Sequence, residues 1–172
     1  MPAKLENITA CVFDAYGTLF DVNAAAAHCA DELGDKWLPL AELWRAKQLQ
    51  YTWLRTLMQR HVNFWQVTTD ALDFALDTHG VSDDGLRQRL LDLYLSLDAY
   101  PEVKEVLTAL KDAGLKTVIL SNGSPDMLNS AVENAGIGGL LDAVQSVEEV
   151  SVFKPHPAVY QMTCDEFDIM PQ

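Results

Sequence analysis

Basic residues are scarce in this chain: 12 Lys and Arg stand against 25 Asp and Glu, a formal charge of -13. That deficit excludes the electrostatic footprint of a nucleic-acid or anionic-membrane partner. Cysteine is scarce too. Cys11, Cys29 and Cys164 are an odd number without CxxC spacing, so neither a disulfide framework nor a zinc site is expected. No stretch approaches the roughly 18 consecutive apolar residues of a membrane span, and MPAKLENITA lacks the charged-then-apolar pattern of a signal peptide. The expected location is the cytoplasm. His28, His61, His79 and His156 fall in different elements with no ligand spacing. Gly136, Gly138 and Gly139 follow a helix rather than a strand, so they make no dinucleotide fingerprint. Repeats, low-complexity tracts and extended linkers are also missing. What remains is 172 residues, 49% of them hydrophobic, enough for one core and a small inserted subdomain.

The apolar run Ile8, Ala10, Cys11, Val12 and Phe13 reads as a buried strand that stops at Asp14, and Gly17 and Thr18 then turn the chain. From Ala24 to Tyr100 the patterns are helical. Ala24 to Gly34 forms a short helix, and a long one follows with Leu40, Leu43/Trp44, Lys47, Tyr51, Leu54 and Met58 at spacings of three and four. Leu49, Trp53 and Leu57 add a second apolar stripe, so this helix is expected to be buried on two sides, between subdomains or in a dimer contact. Further helices are predicted over Phe64–Thr78 and Asp84–Leu97. Pro101 opens an amphipathic helix closed by Gly114. The strand Leu115–Leu120 then ends in Ser121-Asn122-Gly123. Ser124-Pro125 is a cap-plus-proline start for the helix Asp126–Ala135. Leu141–Val147 reads as a third strand, and Pro157–Phe167 as the last helix. Strands alternating with helices imply a parallel sheet, with a helical insertion of roughly 70 to 80 residues after the first strand.

Asp14, Thr18, Ser121-Asn122 and Lys154 all fall where the carboxyl ends of these strands converge, the edge at which open α/β sheets bind ligands. Taken singly, each has a plain reading as a turn residue, cap or solvated cation. Their recurrence at successive strand ends favours a site, with Asp14 as nucleophile or base. Arg45 lies on the stripe of Leu49 and Trp53, beside an apolar and aromatic surface. Residues 35–60 carry five basic side chains against Asp35 and Glu42, a local charge of +3 that would draw a small anion. Two readings stay open for Arg45: an anion ligand, or a surface pair with Glu42 one turn back.

DAYGTLF at 14–20, WRAKQLQYTWLR at 44–55, LSNGS at 120–124 and FKPHPAVY at 153–160 resemble the haloacid dehalogenase superfamily, and within it the (S)-2-haloacid dehalogenases. The similarity runs along essentially the whole chain. It implies a doubly wound, Rossmann-like parallel-sheet core over 1–20 and 99–172, an inserted helical cap over 21–98, and a homodimer. Phosphoryl-transferring members look like DxDGT, whose second carboxyl is the general acid for the leaving oxygen. Here that position is Tyr16. Halide leaves without a proton, so a dehalogenase has no use for that acid; its loss also removes a carboxylate from the place where phosphatases hold magnesium, and neither metal nor other cofactor is expected.

The implied reaction is hydrolytic dehalogenation of short (S)-2-haloalkanoic acids to (R)-2-hydroxyalkanoic acids through an ester on Asp14. Arg45 would take the halide, with Asn122 beside it. Ser121 and backbone N–H groups around Ala15 and Tyr16 would hold the substrate carboxylate. Lys154 would orient Asp14, supported by Thr18 and Tyr160, and Leu49, Phe64 and Tyr16 would line the apolar side of the pocket. The resemblance also implies a further strand and loop, carrying an Asn and an Asp, beyond Ile169-Met170-Pro171-Gln172. On that reading the sequence is short at its carboxyl end and the sheet exposes an apolar edge. The alternatives to dehalogenation are a phosphatase of the same superfamily and a non-catalytic carboxylate binder.

Overall fold

The computed structural model describes residues 7–170; residues 1–6 and 171–172, the outer ends of the expected core segments, lie outside the described residues, as does most of MPAKLENITA. Three parallel strands form one sheet in the order β1 (Ala10–Phe13), β2 (Lys116–Ser121), β3 (Ala143–Ser146). The register sets Phe13 beside Ile119 and Ser121 beside Ser146, so the carboxyl ends of the strands finish together. β2 is buried from Thr117 to Ser121, which is why it reads as a continuous apolar run rather than an alternating one. Helices α6 (Val103–Asp112) and α8 (Pro157–Phe167) pack on β2, and α7 (Pro125–Ala135) packs on β3. β1 is less protected. Val12 is 42% exposed, and a groove of about 300 Å³ runs beside it, lined by Ile8, Ala10, Leu120, Cys164 and Ile169 among others. The apolar edge expected from the sequence is therefore present among the described residues.

Between β1 and α6 lies a layer of five helices: α1 (Ala24–His28), α2 (Ala30–Leu33), α3 (Trp37–Met58), α4 (Phe64–Thr78) and α5 (Asp84–Leu95). The single helix expected over Ala24–Gly34 is broken at Cys29, whose backbone leaves the helical region, and a 3-10 turn at Gly34–Lys36 leads into α3. Asn63 and Asp83 cap α4 and α5 by accepting the Gln66 and Leu86 N–H groups. The hydroxyl of Ser124, by contrast, makes no cap bond to α7, although Pro125 occupies its first turn.

Within the single chain α3 is buried on one side. Leu40, Ala41, Trp44, Gln48 and Thr52 form its one buried face, packed on α4. On the other side Trp53 is 51% and Leu57 80% exposed, so the second apolar stripe meets solvent and the pocket described below. The reason is geometric: the short linker at residues 59–63 folds α4 back onto one side of α3 only. The chain enters and leaves the helical layer side by side, with Asp21 N–H donating to Asp98 O (2.8 Å) and Tyr100 N–H to Leu19 O (3.0 Å). A second tie joins the layer to the sheet: His61 Nε2 and Glu148 Oε2 are 2.9 Å apart, and Phe64 N–H donates to Glu148 Oε1.

Candidate active site

At the carboxyl ends of β1 and β2 the chain turns sharply and leaves polar groups facing one space. After Asp14, the N–H groups of Thr18, Leu19 and Phe20 all donate to Ala15 O, and Gly17 takes φ +89°, a backbone that a side chain would strain. This tight turn leaves Tyr16 O pointing at α3, where Arg45 Nη2 donates to it at 2.7 Å. At the end of β2, Ser121 Oγ accepts the Gly123 N–H, leaving its own hydroxyl proton for another partner. Asn122 Oδ1 accepts the backbone N–H of Lys154 at 2.9 Å and so fixes the loop that follows β3. Lys154 Nζ then donates to Asp14 Oδ1 at 2.9 Å and to Leu120 O. Among the described residues Asp14 Oδ2 carries no hydrogen bond, and the Asp14 side chain is 38% exposed.

A pocket of about 300 Å³ gathers these groups. Asp14, Arg45, Ser121, Asn122 and Lys154 supply its polar lining, and Tyr16, Leu49, Trp53 and Pro155 its apolar wall. Seven of the ten residues singled out from sequence therefore meet in one place. Of the two readings of Arg45, the pair with Glu42 is not made: among the described residues Arg45 makes no ion pair with any carboxylate, and its bonds go to Tyr16 O and to Gln48 Oε1 (2.8 Å).

Three expected residues are elsewhere. Thr18 is exposed and its hydroxyl bonds to neither Asp14 nor Lys154, because the positive-φ turn at Gly17 carries it outward. Phe64 is fully buried behind Tyr16 (ring centroids 6.0 Å) and against Phe153, so it backs the pocket wall without lining it. Tyr160, 44% exposed on α8, lines the groove beside β1.

Tyr16 is held more firmly than a surface turn residue. Its ring stacks on Tyr94 at 5.7 Å and is 2% exposed. Burial, with Tyr94 and Asp14 nearby, pushes its hydroxyl far above the ordinary phenol range, so it stays neutral beside the carboxylate. Gly123 makes room for it: a Cβ there would stand 2.7 Å from Tyr16 Cε2. Trp53 was read from sequence only as part of the apolar stripe beside Arg45, and Pro155 and Gln48 were not picked out as site residues. Gln48 had a readable signal, an amide in the middle of the Leu40, Trp44, Thr52 face.

A family model for haloacid dehalogenase-like hydrolases matches residues 8–172. The (S)-2-haloacid dehalogenase 1 of Pseudomonas sp. (strain CBS-3) is 49% identical over 168 residues, which cover 97% of this chain and 74% of that protein. A crystal structure of a dehalogenase superposes with a TM-score of 0.96 at 44% identity, covering 98% of this chain and 75% of the other. The L-2-haloacid dehalogenase of Xanthobacter autotrophicus, solved with chloropropionic acid covalently bound, matches at a TM-score of 0.87 and 42% identity, over 96% of this chain and 67% of that one. With identity this high across nearly all of the chain, and an anchored carboxylate at the end of the first strand, the protein belongs to the haloacid dehalogenase-like hydrolases, in their (S)-2-haloacid dehalogenase branch.

Proposed function

We propose that this protein hydrolyses the carbon–halogen bond of short (S)-2-haloalkanoic acids, giving (R)-2-hydroxyalkanoic acids through an ester on Asp14. The observation that carries this reading is the pairing, in one pocket, of a carboxylate anchored through a single oxygen with a cation that no carboxylate neutralises. Lys154 holds Asp14 Oδ1 and leaves Oδ2 to attack C2 of the substrate. The C–X electron pair departs with the halide toward the Arg45 N–H groups and Asn122, and C2 inverts. Ser121, whose hydroxyl proton is free, holds the substrate carboxylate with backbone N–H groups near Ala15 and Tyr16. Water then adds to the ester carbonyl of Asp14, the acyl C–O bond breaks, and the hydroxyacid leaves with its inverted centre while a proton passes to solvent. Leu49, Trp53 and Pro155 form the apolar wall beside the nucleophile, where a bound substrate would displace the water that blunts a carboxylate.

Tyr16 weighs against phosphoryl transfer, since a buried neutral phenol replaces the carboxylic acid that protonates an alkoxide leaving group. Neither metal nor cofactor enters the proposed reaction. The three free cysteines fit a reducing cytoplasm. No helix of the described residues is long and apolar enough to cross a membrane. A homodimer is part of this reading, supported by the exposure of Trp53 and Leu57 on the second apolar stripe of α3.

The test is halide release from (S)-2-chloropropanoate by the protein and by Asp14→Ala, with intact-mass measurement of each. Turnover that survives the substitution would falsify the reading. A stable adduct on Asp14 without turnover marks alkylation without ester hydrolysis, and no adduct at all marks a carboxylate binder.

A further inference from the structure

Gln48 is a buried amide (1% exposed) on the face of α3 that packs against α4, three residues after Arg45. Its orientation is set by a one-way chain of hydrogen bonds. Phe64 O can only accept, so the Thr68 hydroxyl donates to it at 2.8 Å. The Thr68 oxygen is then left to accept, which it does from Gln48 Nε2 at 2.8 Å. Gln48 must therefore turn its carbonyl oxygen the other way, and there it meets two donors: Arg45 Nη1 at 2.8 Å and the Tyr94 hydroxyl at 3.2 Å. Burial raises the Tyr94 phenol above its ordinary range, so it remains a donor. Arg45 is gripped on its other terminal nitrogen by Tyr16 O, another neutral acceptor.

Two uncharged oxygens thus fix the guanidinium without cancelling its charge. A carboxylate in place of the amide would hold Arg45 equally well and spend its charge on an internal ion pair. We propose that Gln48 is the positioning residue for Arg45, aiming a fully charged guanidinium at the pocket because its own side chain is a neutral acceptor locked by Thr68 and Tyr94. This deepens the reading above and rests on Arg45 receiving the departing halide. The requirement is both for an oxygen at this point and for that oxygen to carry no net charge.

Four variants of the full chain separate these elements: Gln48→Glu, which keeps shape and acceptor but adds charge; Gln48→Leu, which removes the acceptor; Thr68→Val, which unlocks the amide; and Arg45→Lys as the control. Each is titrated with bromide, read by the fluorescence of Trp53 in the pocket wall, and each is assayed for the rate of Asp14 alkylation by 2-bromopropanoate. Bromide affinity and alkylation are expected to fall about 10- to 100-fold in Gln48→Leu, the worth of a hydrogen bond to a charged group, to fall also in Gln48→Glu through the internal ion pair that it creates, and to fall less in Thr68→Val. KM for the haloacid is expected to move little, because its carboxylate is held at Ser121; a merely structural role would lower thermal stability without this split. Bromide binding that is unchanged in Gln48→Glu and Thr68→Val but weakened in Arg45→Lys overturns the assignment to Gln48 alone. Binding that is unchanged in Arg45→Lys as well removes Arg45 from the halide site, and the inference with it. If Gln48→Leu does not fold, the Glu and Val variants decide.

Discussion

Two aspartate–lysine clusters stand at opposite ends of the same three-stranded sheet. At the carboxyl ends Asp14 meets Lys154, and at the amino ends Asp142, just before β3, meets Lys111 at 3.1 Å and Lys116 at 3.3 Å. Asp142 is saturated: Oδ1 takes Lys116, while Oδ2 takes Lys111 and the Thr117 N–H at 2.8 Å. The Thr117 N–H bond first, then the lysines, pull its carboxyl from 3.8 to about 2. Asp14 keeps one oxygen unengaged and faces a pocket with a second cation in it. A carboxylate engaged through both oxygens ties elements together, whereas one anchored through a single oxygen is oriented and still able to react. The end of the sheet matters as well, since the carboxyl edge of an open α/β sheet is where ligands bind.

The largest effect that could break this contrast is at Asp14. Asp14→Asn is expected to lower halide release by about 10⁴-fold or more while the melting temperature stays near that of the parent. Equal losses of activity and stability would put Asp14 in the same class as Asp142. Lys154→Met is expected to cost about 10²- to 10³-fold in turnover, since the nucleophile loses its one fixed charge contact; single-turnover alkylation rates check this. Gly123→Ala brings a Cβ against the Tyr16 ring, and the overpacking is expected to cost about 1–3 kcal/mol by urea denaturation, together with part of the activity.

The smallest effect is at Asp142. Its carboxyl is depressed in the folded chain, so its contribution to stability is complete above the ordinary carboxylate value and is lost as pH falls through about 2. Thermal melts across that window are expected to show less acid sensitivity in Asp142→Asn than in the parent, with halide release at neutral pH unchanged. A drop in turnover there would mean that the two ends of the sheet are coupled.

The legibility of these features in the sequence differs residue by residue. Asp14 and Ser121-Asn122 could be read because each follows a strand's apolar run directly, and parallel strands in register must bring such residues to one edge; Lys154 reaches that edge from the loop after β3, which Asn122 fixes. Arg45 was half legible. Its stripe announced an apolar neighbour, but whether it paired with Glu42 depended on side-chain direction across the turn at Tyr16, which spacing does not contain. Thr18 and Tyr160 show the limit on the other side, because a positive φ at Gly17 and the packing of α8 on β2, with Tyr160 in the groove beside β1, direct them away from the pocket. For α3 the apolar stripes show what could be covered, and the fold-back of α4 decides which one is buried within the single chain.

What the sequence determined by itself was local: strand, turn and helix order, the polar residue ending each strand, and Tyr16 where a phosphatase would place its acid. Those features depend on neighbours in the chain, through periodicity, φ preferences and the chemistry of side chains. Only the tertiary structure decided how the charges divide, leaving Arg45 unpaired on Gln48 and Tyr16 O, Asp14 half-engaged and Asp142 saturated. Each of these outcomes turns on a few ångströms between residues far apart in sequence, a distance set by packing that no spacing along the chain encodes.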